Sequence, residues 1–370
     1  MCAISRLRPL HGGDLSWAAV TADCPVHSIL DFSANINPLG PPKTVMSALQ
    51  KALSTICHYP EPSYRDLRSR LAEIHGLDSD WIGLGNGAAE LFTWAAREFS
   101  LYSANVIYMT PSFAEYTRAF GAFGVTARSV PLSIFDPRSD SEDTVRSVLQ
   151  ILRTSQTQFG VWLNNPHNPT GRLWSQDDLF PLLHSGGLVL VDEAFMDFVE
   201  PSKSLLNWVS DFPNLIVVRS LTKFYSFPGL RLGYVVTHPE RNSRWRQWRD
   251  AWPINSLAVA AGLAAVDDFE FQKQTLAWLP KARQALWSGL RAIPELTPLQ
   301  SATNFLLIKT SVPGSLLQRE LLLRAQILVR DCLSFPELGE DYIRVAVREE
   351  PDNERLLSAL GLAMERLREV

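Results

Sequence analysis

The sequence predicts an α/β chain of two domains, a larger one built on a parallel sheet with crossover helices and a smaller α+β one. Three observations carry this expectation. Between about residues 80 and 240, short apolar runs bounded by Gly, Pro, Asn or Asp alternate with longer helix-like stretches, the pattern of repeated βαβ units. Those runs are almost continuously apolar, as suits strands covered on both faces. From about Pro253 onward, long helical patterns are separated by only a few strand-like runs. A length of 370 residues accommodates about two domains of roughly 150 residues.

In chain order, the expected strands of the larger domain are 104–109 (ANVIYM), 159–163 (FGVWL), 188–191 (LVLV), 215–219 (LIVVR) and 233–237 (GYVVT). Helices are expected after Gly87 (AAELFTWAAREF), after Pro111 (SFAEYTRAFGAF) and after Trp174 (SQDDLFPLLHS), where Ser175 is placed to cap the first turn. Beyond Pro253, helices at 258–268 and 272–292 precede a strand NFLLIK at 304–309 and a helix at 316–325. ILVRD, YIRVAVR and a last helix near 353–366 follow. The first 40 residues are turn-rich, and periodicity alone does not say which domain they join. The chain shows no internal repeat and no low-complexity linker.

Composition narrows the function. With 46% hydrophobic and 20% charged residues the chain is ordinary for a soluble globular protein. Lys plus Arg number 35 against 39 Asp plus Glu, a formal charge of −4. A polyanion-binding protein carries a basic excess or stripe, so nucleic acid is not an expected partner. Cys2, Cys24, Cys57 and Cys332 form no C-x-x-C pair, which argues against a disulfide framework or a zinc site and for reduced thiols in the cytoplasm. The N-terminus lacks the apolar region of a signal peptide. The longest uncharged apolar stretch, 253–266, is shorter than the roughly 20 residues that span a bilayer, so neither a membrane nor a metal is expected.

Four loops stand where open α/β sheets hold ligands. GLGNGAAE at 83–90 leads glycines into a helix whose free N–H groups can hold a phosphate; alone, it is equally a plain turn. NNPHNPTG at 164–171 has two X-Pro bonds that fix an extended path, which serves either a rigid turn or an Asn amide aimed at a ligand. LVLVDEAF at 188–195 ends an apolar strand in Asp192, and a carboxylate there needs a positive partner: a magnesium ion, an arginine or a protonated ring nitrogen. SLTKFYSFPGLRLGY at 220–234 gathers Ser220, Thr222, Lys223 and Arg231. Neighbouring positive charge favours the amine form of a lysine, the form of a Schiff-base nucleophile.

Taken together, GNG-helix, NPTG, a strand ending in Asp, and S-x-T-K followed eight residues later by Arg resemble the fold-type I pyridoxal-phosphate enzymes, the aspartate aminotransferase superfamily. The resemblance runs through most of the chain. It implies a large α/β domain with a mainly parallel seven-stranded sheet at 41–255 and a small α+β domain at 256–370. An N-terminal segment at 1–40 would contribute to the substrate site and the small domain. It implies pyridoxal 5′-phosphate bound as a Schiff base on Lys223. Asp192 would pair with the pyridinium nitrogen and Asn168 with the ring hydroxyl, while Phe113 stacks on the ring. Ala88, Ala89, Ser220, Thr222 and Arg231 would hold the phosphate, and Tyr59 in HYPEPSY would reach it from the neighbouring subunit of a homodimer.

Within the superfamily, YPEPSYRDLR, the length and YIRVAVRE resemble the histidinol-phosphate aminotransferase branch. HGGD at 11–14, LDFSANINPLGPP at 30–42, PSFAEY and DEAFMDF resemble the sister family of L-threonine-O-3-phosphate decarboxylases of cobalamin biosynthesis. Phe195 agrees with that second family, since the aminotransferases typically carry a tyrosine there. The resemblance implies decarboxylation of L-threonine O-3-phosphate to (R)-1-amino-2-propanol O-2-phosphate and carbon dioxide, with transamination as the alternative. Expected substrate anchors are Arg330, Arg344, His11, Asn35 and Asn37, since arginine suits carboxylate and phosphate. Arg6, Arg8 and Arg348 read as surface charges. A third reading, a pyridoxal-phosphate-dependent transcription regulator, would need a helix-turn-helix domain and a basic surface, for which the roughly 80 residues before GLGNG and the charge of −4 give no support.

Overall fold

The computed structural model describes residues 8–132, 134, 140–155 and 157–368; Cys2 and Arg6 lie outside them. The chain divides into two compact units. The smaller holds the residues up to Asn35, Pro169–Gly171 and Ala277–Val370; the larger holds Ile36–Asn168 and Arg172–Leu276. The turn-rich N-terminal segment, expected as 1–40, therefore belongs to the smaller unit up to Asn35, and residues 36–40 belong to the larger. The segment's helix α1 (Leu15–Ala22) starts where the Asp14 carboxylate accepts from the Trp17 N–H at 2.9 Å, a side-chain cap for an otherwise orphaned donor. Ala18 and Ala19 bury against Leu322 and Leu328, and a short strand β1 (Leu30–Asp31) follows.

The larger unit runs through α2 (Lys43–Ala52), α3 (Arg65–His75), β2 (Ile82–Asn86), α4 (Ala88–Tyr102), β3 (Asn105–Thr110), α5 (Ala114–Ala122) and β4 (Thr126–Pro131). It continues through α6 (Asp140–Thr154), β5 (Gly160–Asn164), α7 (Gln176–Leu183), β6 (Val189–Asp192), β7 (Leu215–Ser220), β8 (Leu232–Thr237), α8 (Pro239–Trp248) and α9 (Ser256–Val266). The 24-residue α10 (Phe269–Ala292) begins in this unit and ends in the other. Seven strands form one sheet in the order β2-β8-β7-β6-β5-β3-β4. All neighbours are parallel except β8, which is antiparallel to β2 and β7. Its core is made where Leu91, Phe92, Ala95 and Phe99 of α4 meet Trp162, Ile216, Val218 and Val235 of the sheet.

All five expected strands of this sheet are present, and Ser175 caps α7 in a capping box with Asp178. The reading missed β2 and β4. The first has a glycine at every second position, because a Cβ at Gly83 would sit 2.4 Å from the Asn242 side chain and one at Gly85 would sit 2.5 Å from Leu91. The second is an exposed edge with only Val130 buried, so it carries no apolar run. Where the sequence reading ends the large domain at residue 255, the structure keeps α9 in the larger unit, its Gly262 lying close against Leu67 of α3 and Leu232 of β8.

In the smaller unit β9 (Leu296–Pro298), β10 (Phe305–Thr310), α11 (Gly314–Ala325), β11 (Ile327–Leu328), β12 (Arg330–Asp331), β13 (Tyr342–Ala346) and α12 (Glu350–Arg368) complete the chain. An antiparallel sheet runs β12-β13-β10-β9, and β1 pairs in parallel with β11. The expected single strand ILVRD is thus two, broken at Val329, so that one half pairs with the N-terminal segment and the other with β13.

Candidate active site

The sheet order sets the carboxyl ends of β5, β6 and β7 side by side, with Asn164, Asp192 and Val218 in register. At one end of this row lies an anion cradle. Ala88 and Ala89 open α4, so their N–H groups have no partner within the helix. Gly87 precedes them at φ +75°, and a Cβ there would lie 2.4 Å from Arg231 Nη2; glycine lets the guanidinium close on the loop. Ser220 pairs with Gly233 across β7 and β8, and a Cβ at Gly233 would lie 2.9 Å from the Ala88 nitrogen. The buried Ser220 and Thr222 hydroxyls are 2.7 Å apart. Backbone donors, two hydroxyls and a guanidinium from three elements suit a phosphate dianion.

In the middle of the row Asp192 is buried at the tip of β6. Its Oδ2 accepts from the Tyr116 hydroxyl at 2.5 Å and its Oδ1 from the Ala194 N–H at 2.9 Å. Burial pushes the carboxyl up to about 6, against the pull of these two donors. A buried acid so placed favours a cationic partner such as a protonated ring nitrogen. Tyr116 sits in the first turn of α5 among Phe92, Trp162 and Phe113; Phe113, the residue before the helix, meets its ring edge-on at 5.9 Å. The NPTG loop is tied to the same acid. Asn164 Nδ2 and the Asn165 N–H both donate to the Asp192 carbonyl at 2.9 Å, and the Asn168 N–H donates to Asn164 Oδ1 at 2.6 Å.

Lys223 follows Thr222 on a half-buried loop, its carbonyl accepting from the Asn37 N–H at 3.1 Å. The Asn37 side chain donates to the Phe224 carbonyl at 2.9 Å and to Thr275 Oγ1 at 3.0 Å, and the Ser226 hydroxyl donates to the Asn37 carbonyl at 2.5 Å. Asn37, expected to anchor substrate, instead splints the lysine loop. Arg219, the residue before Ser220, is buried between Glu193 at 2.8 Å and Asp197 at 2.6 Å, an opposite charge on each side of the guanidinium. Phe195 is buried and stacks on Phe198. Tyr59 lies on the surface, 78% exposed, stacked 4.4 Å from Trp252 and lining one hollow with Asn86.

The smaller unit holds a second set. Arg330 and Arg344 stand directly opposite one another on β12 and β13, both buried. Burial and the Arg330 charge push Arg344 down to about 10. Arg330 donates to the carbonyls of Pro9 and Leu10 and to Ser334 Oγ, and Arg344 donates to the Ser33 carbonyl at 3.0 Å. Asn35 and Asn304 are buried, Asn304 Nδ2 donating to the Asn35 carbonyl at 3.1 Å. Neither Oδ1 has a protein partner among the described residues, which leaves two polar atoms for a ligand. His11 is exposed at the rim of a small hollow that it lines with Gly12, Gly13, Ser33 and Arg330.

The sequence reading missed Tyr116, Asn164 and the Glu193–Arg219 pair, all of which make contacts far apart in sequence. Arg8, expected as a surface charge, is exposed and also pairs with the buried Asp331; Arg348, expected as another, is half-buried and held by Asp352 at 2.8 Å and by the Asp31 carbonyl at 3.2 Å. The described cysteines, Cys24, Cys57 and Cys332, are free. Among the described residues no cluster could hold a metal ion, and no helix is long and apolar enough to cross a membrane.

A mainly parallel sheet with an anion cradle towards one side of its strand tips and a buried carboxylate on its central strand suits a cofactor-dependent enzyme of transferase-type fold. The chain belongs to the class I and II aminotransferase family, whose profile matches residues 27–360, and its cofactor is pyridoxal 5′-phosphate. Among curated relatives it is 36% identical to a threonine-phosphate decarboxylase of Salmonella typhimurium, over 95% of each chain. It is 32% identical to a histidinol-phosphate aminotransferase of Symbiobacterium thermophilum, over 98% of each. Its structure superposes with a TM-score of 0.82 on a histidinol-phosphate aminotransferase from Clostridium acetobutylicum, 28% identical, covering 91% of this chain and 100% of the other.

Proposed function

We propose that the protein decarboxylates L-threonine O-3-phosphate to (R)-1-amino-2-propanol O-2-phosphate in cobalamin biosynthesis. The observation that carries the reading is the pair of buried arginines opposed across β12 and β13. Like charges facing each other on neighbouring strands are unfavourable, and a bound anion would offset that cost. A phosphorylated amino acid brings a phosphate and a carboxylate. The similarity to a threonine-phosphate decarboxylase over 95% of both chains and the phenylalanine at position 195 support the same choice.

In this reading Ala88, Ala89, Ser220, Thr222 and Arg231 hold the cofactor phosphate, Phe113 covers one face of the ring, and Asn168 meets its hydroxyl. Asp192 balances the charge on the ring nitrogen. When bound, the cofactor takes up the electron pair left at the substrate α-carbon. Arg330 and Arg344, with His11 and Asn35, would hold the substrate phosphate, which leaves the substrate carboxylate unclamped by them. The bond from α-carbon to carboxylate breaks, carbon dioxide leaves, and Lys223 delivers a proton from Nζ to the α-carbon. Tyr59, so exposed in one chain, completes the cofactor site of a second copy in a cytoplasmic homodimer.

The second reading is transamination, favoured by the 32% identity to a histidinol-phosphate aminotransferase over 98% of both chains. There an arginine would hold the substrate carboxylate, and Lys223 would remove the α-proton. The purified protein with pyridoxal 5′-phosphate is expected to release carbon dioxide from L-threonine O-3-phosphate and to form aminopropanol phosphate. Amino transfer from glutamate to imidazole-acetol phosphate without gas release would establish the second reading.

A further inference from the structure

The N-terminal segment reaches the arginine pair along a path that its own residues dictate. A Cβ at Gly12 would lie 2.3 Å from the Ser33 carbonyl oxygen, and Gly13 adopts φ +86° while its N–H donates to Ser33 Oγ at 2.8 Å. Asp31 Oδ1 in turn accepts from the Ser33 hydroxyl and N–H, both at 2.7 Å. Asp14 is spent on the cap of α1. One charge near the arginines is not explained by these ties. Asp331 is 2% exposed and its Oδ1 lies 3.8 Å from Arg330 Nη1. A carboxylate beside an arginine that must receive an anion works against it. Arg8 places Nε 2.5 Å from Asp331 Oδ2, and its Nη2 is fixed by the Ser315 carbonyl at 3.1 Å and Gln318 Oε1 at 2.9 Å.

We propose that Arg8 is a positioning residue for substrate affinity: by pairing with Asp331 it leaves the Arg330 charge to the incoming phosphate, and it pins the HGG segment beside that arginine. The inference rests on the reading of Arg330 and Arg344 as the phosphate anchor. Without Arg8, Asp331 turns its full charge on Arg330. A phosphate carries about −1.5 to −2 charges near neutral pH, so it is the ligand most sensitive to that loss.

The test uses the holoenzyme, with inorganic phosphate as the probe and L-threonine O-3-phosphate as the substrate. In Arg8→Ala, phosphate binding measured by calorimetry is expected to weaken roughly tenfold and KM to rise by a similar factor, with a much smaller change in kcat. Arg8→Lys keeps the charge and is expected to recover most of the affinity. Arg8→Ala combined with Asp331→Asn removes the lone carboxylate, and phosphate affinity is expected to return toward the wild-type value. A segment that served only as a structural strap would leave this double variant as weak as Arg8→Ala, and that result would overturn the proposal. So would phosphate binding unchanged in Arg8→Ala. A wild-type holoenzyme that binds no phosphate would instead bring down the anchor reading, and this inference with it.

Discussion

The two units hold their buried charge in different ways, the larger mainly by opposite charge and the smaller mainly by carbonyl oxygens. Around the strand tips of the larger unit each buried ion has an opposite or a donor: Arg219 lies between Glu193 and Asp197, and Asp192 accepts from Tyr116 and Ala194. In the smaller unit Arg330 and Arg344 face each other across a strand pair. The first arrangement finds its partners within the larger unit. The second keeps two like charges within one strand spacing, a cost that a bound anion reverses. Cofactor retention and substrate affinity should therefore fail separately when each half is damaged.

The largest expected break is Lys223→Ala. Activity is expected to fall by roughly 10³ or more, and denaturation should release no covalently attached cofactor species, measured by absorbance. Phosphate binding at the smaller unit should survive. Activity near wild type in this variant would remove the lysine from its proposed role. A smaller, one-sided break is Arg344→Gln. KM for the phosphorylated substrate is expected to rise roughly thirtyfold or more, whereas cofactor affinity stays put and the apoprotein melts within a few degrees of wild type, since a like-charge contact disappears with the hydrogen bond. A collapse of the melting temperature would show that the arginine pair is structural.

The smallest effect sharpens the contrast through pH. His75 in the larger unit meets the Tyr234 hydroxyl at 3.0 Å, and burial, with a contribution from the Arg219 charge, holds its imidazole down to about 4. In the unfolded chain it takes a proton near 6.5, so the unfolded state binds more protons between these values. The stability tied to this group is present above about 6.5 and is lost as pH falls toward about 4. Melting temperatures measured across that window should fall less steeply in His75→Gln than in the wild type. Equal slopes would exclude this histidine as a source of acid lability.

Most of the frame could be read from the sequence because its signals are local. Apolar runs marked β3, β5, β6, β7 and β8, and Ser175 announced its cap. The strands that escaped lacked such a signal, β2 because close approach demands glycine and β4 because it is a polar edge. Among the candidate site residues, those embedded in motifs, from Ala88 to Arg231, could be named from the sequence. Tyr116 could not, since the partner that gives it meaning is 76 residues away. Arg8 is exposed as expected, but its pairing with Asp331 was hidden for the same reason, the partner lying far along the chain. Asn37 carried a misleading signal, its neighbourhood suggesting ligand contact while its amide was already committed to the lysine loop.

The approach of Gly12 to Ser33 also has a hereditary side. Every alternative to glycine adds a Cβ 2.3 Å from a backbone oxygen, and backbone cannot step aside as a flexible side chain does. No single amino-acid replacement at this position can be neutral while the segment keeps its course. A descendant of this protein could lose the HGG path only by rerouting the segment as a whole.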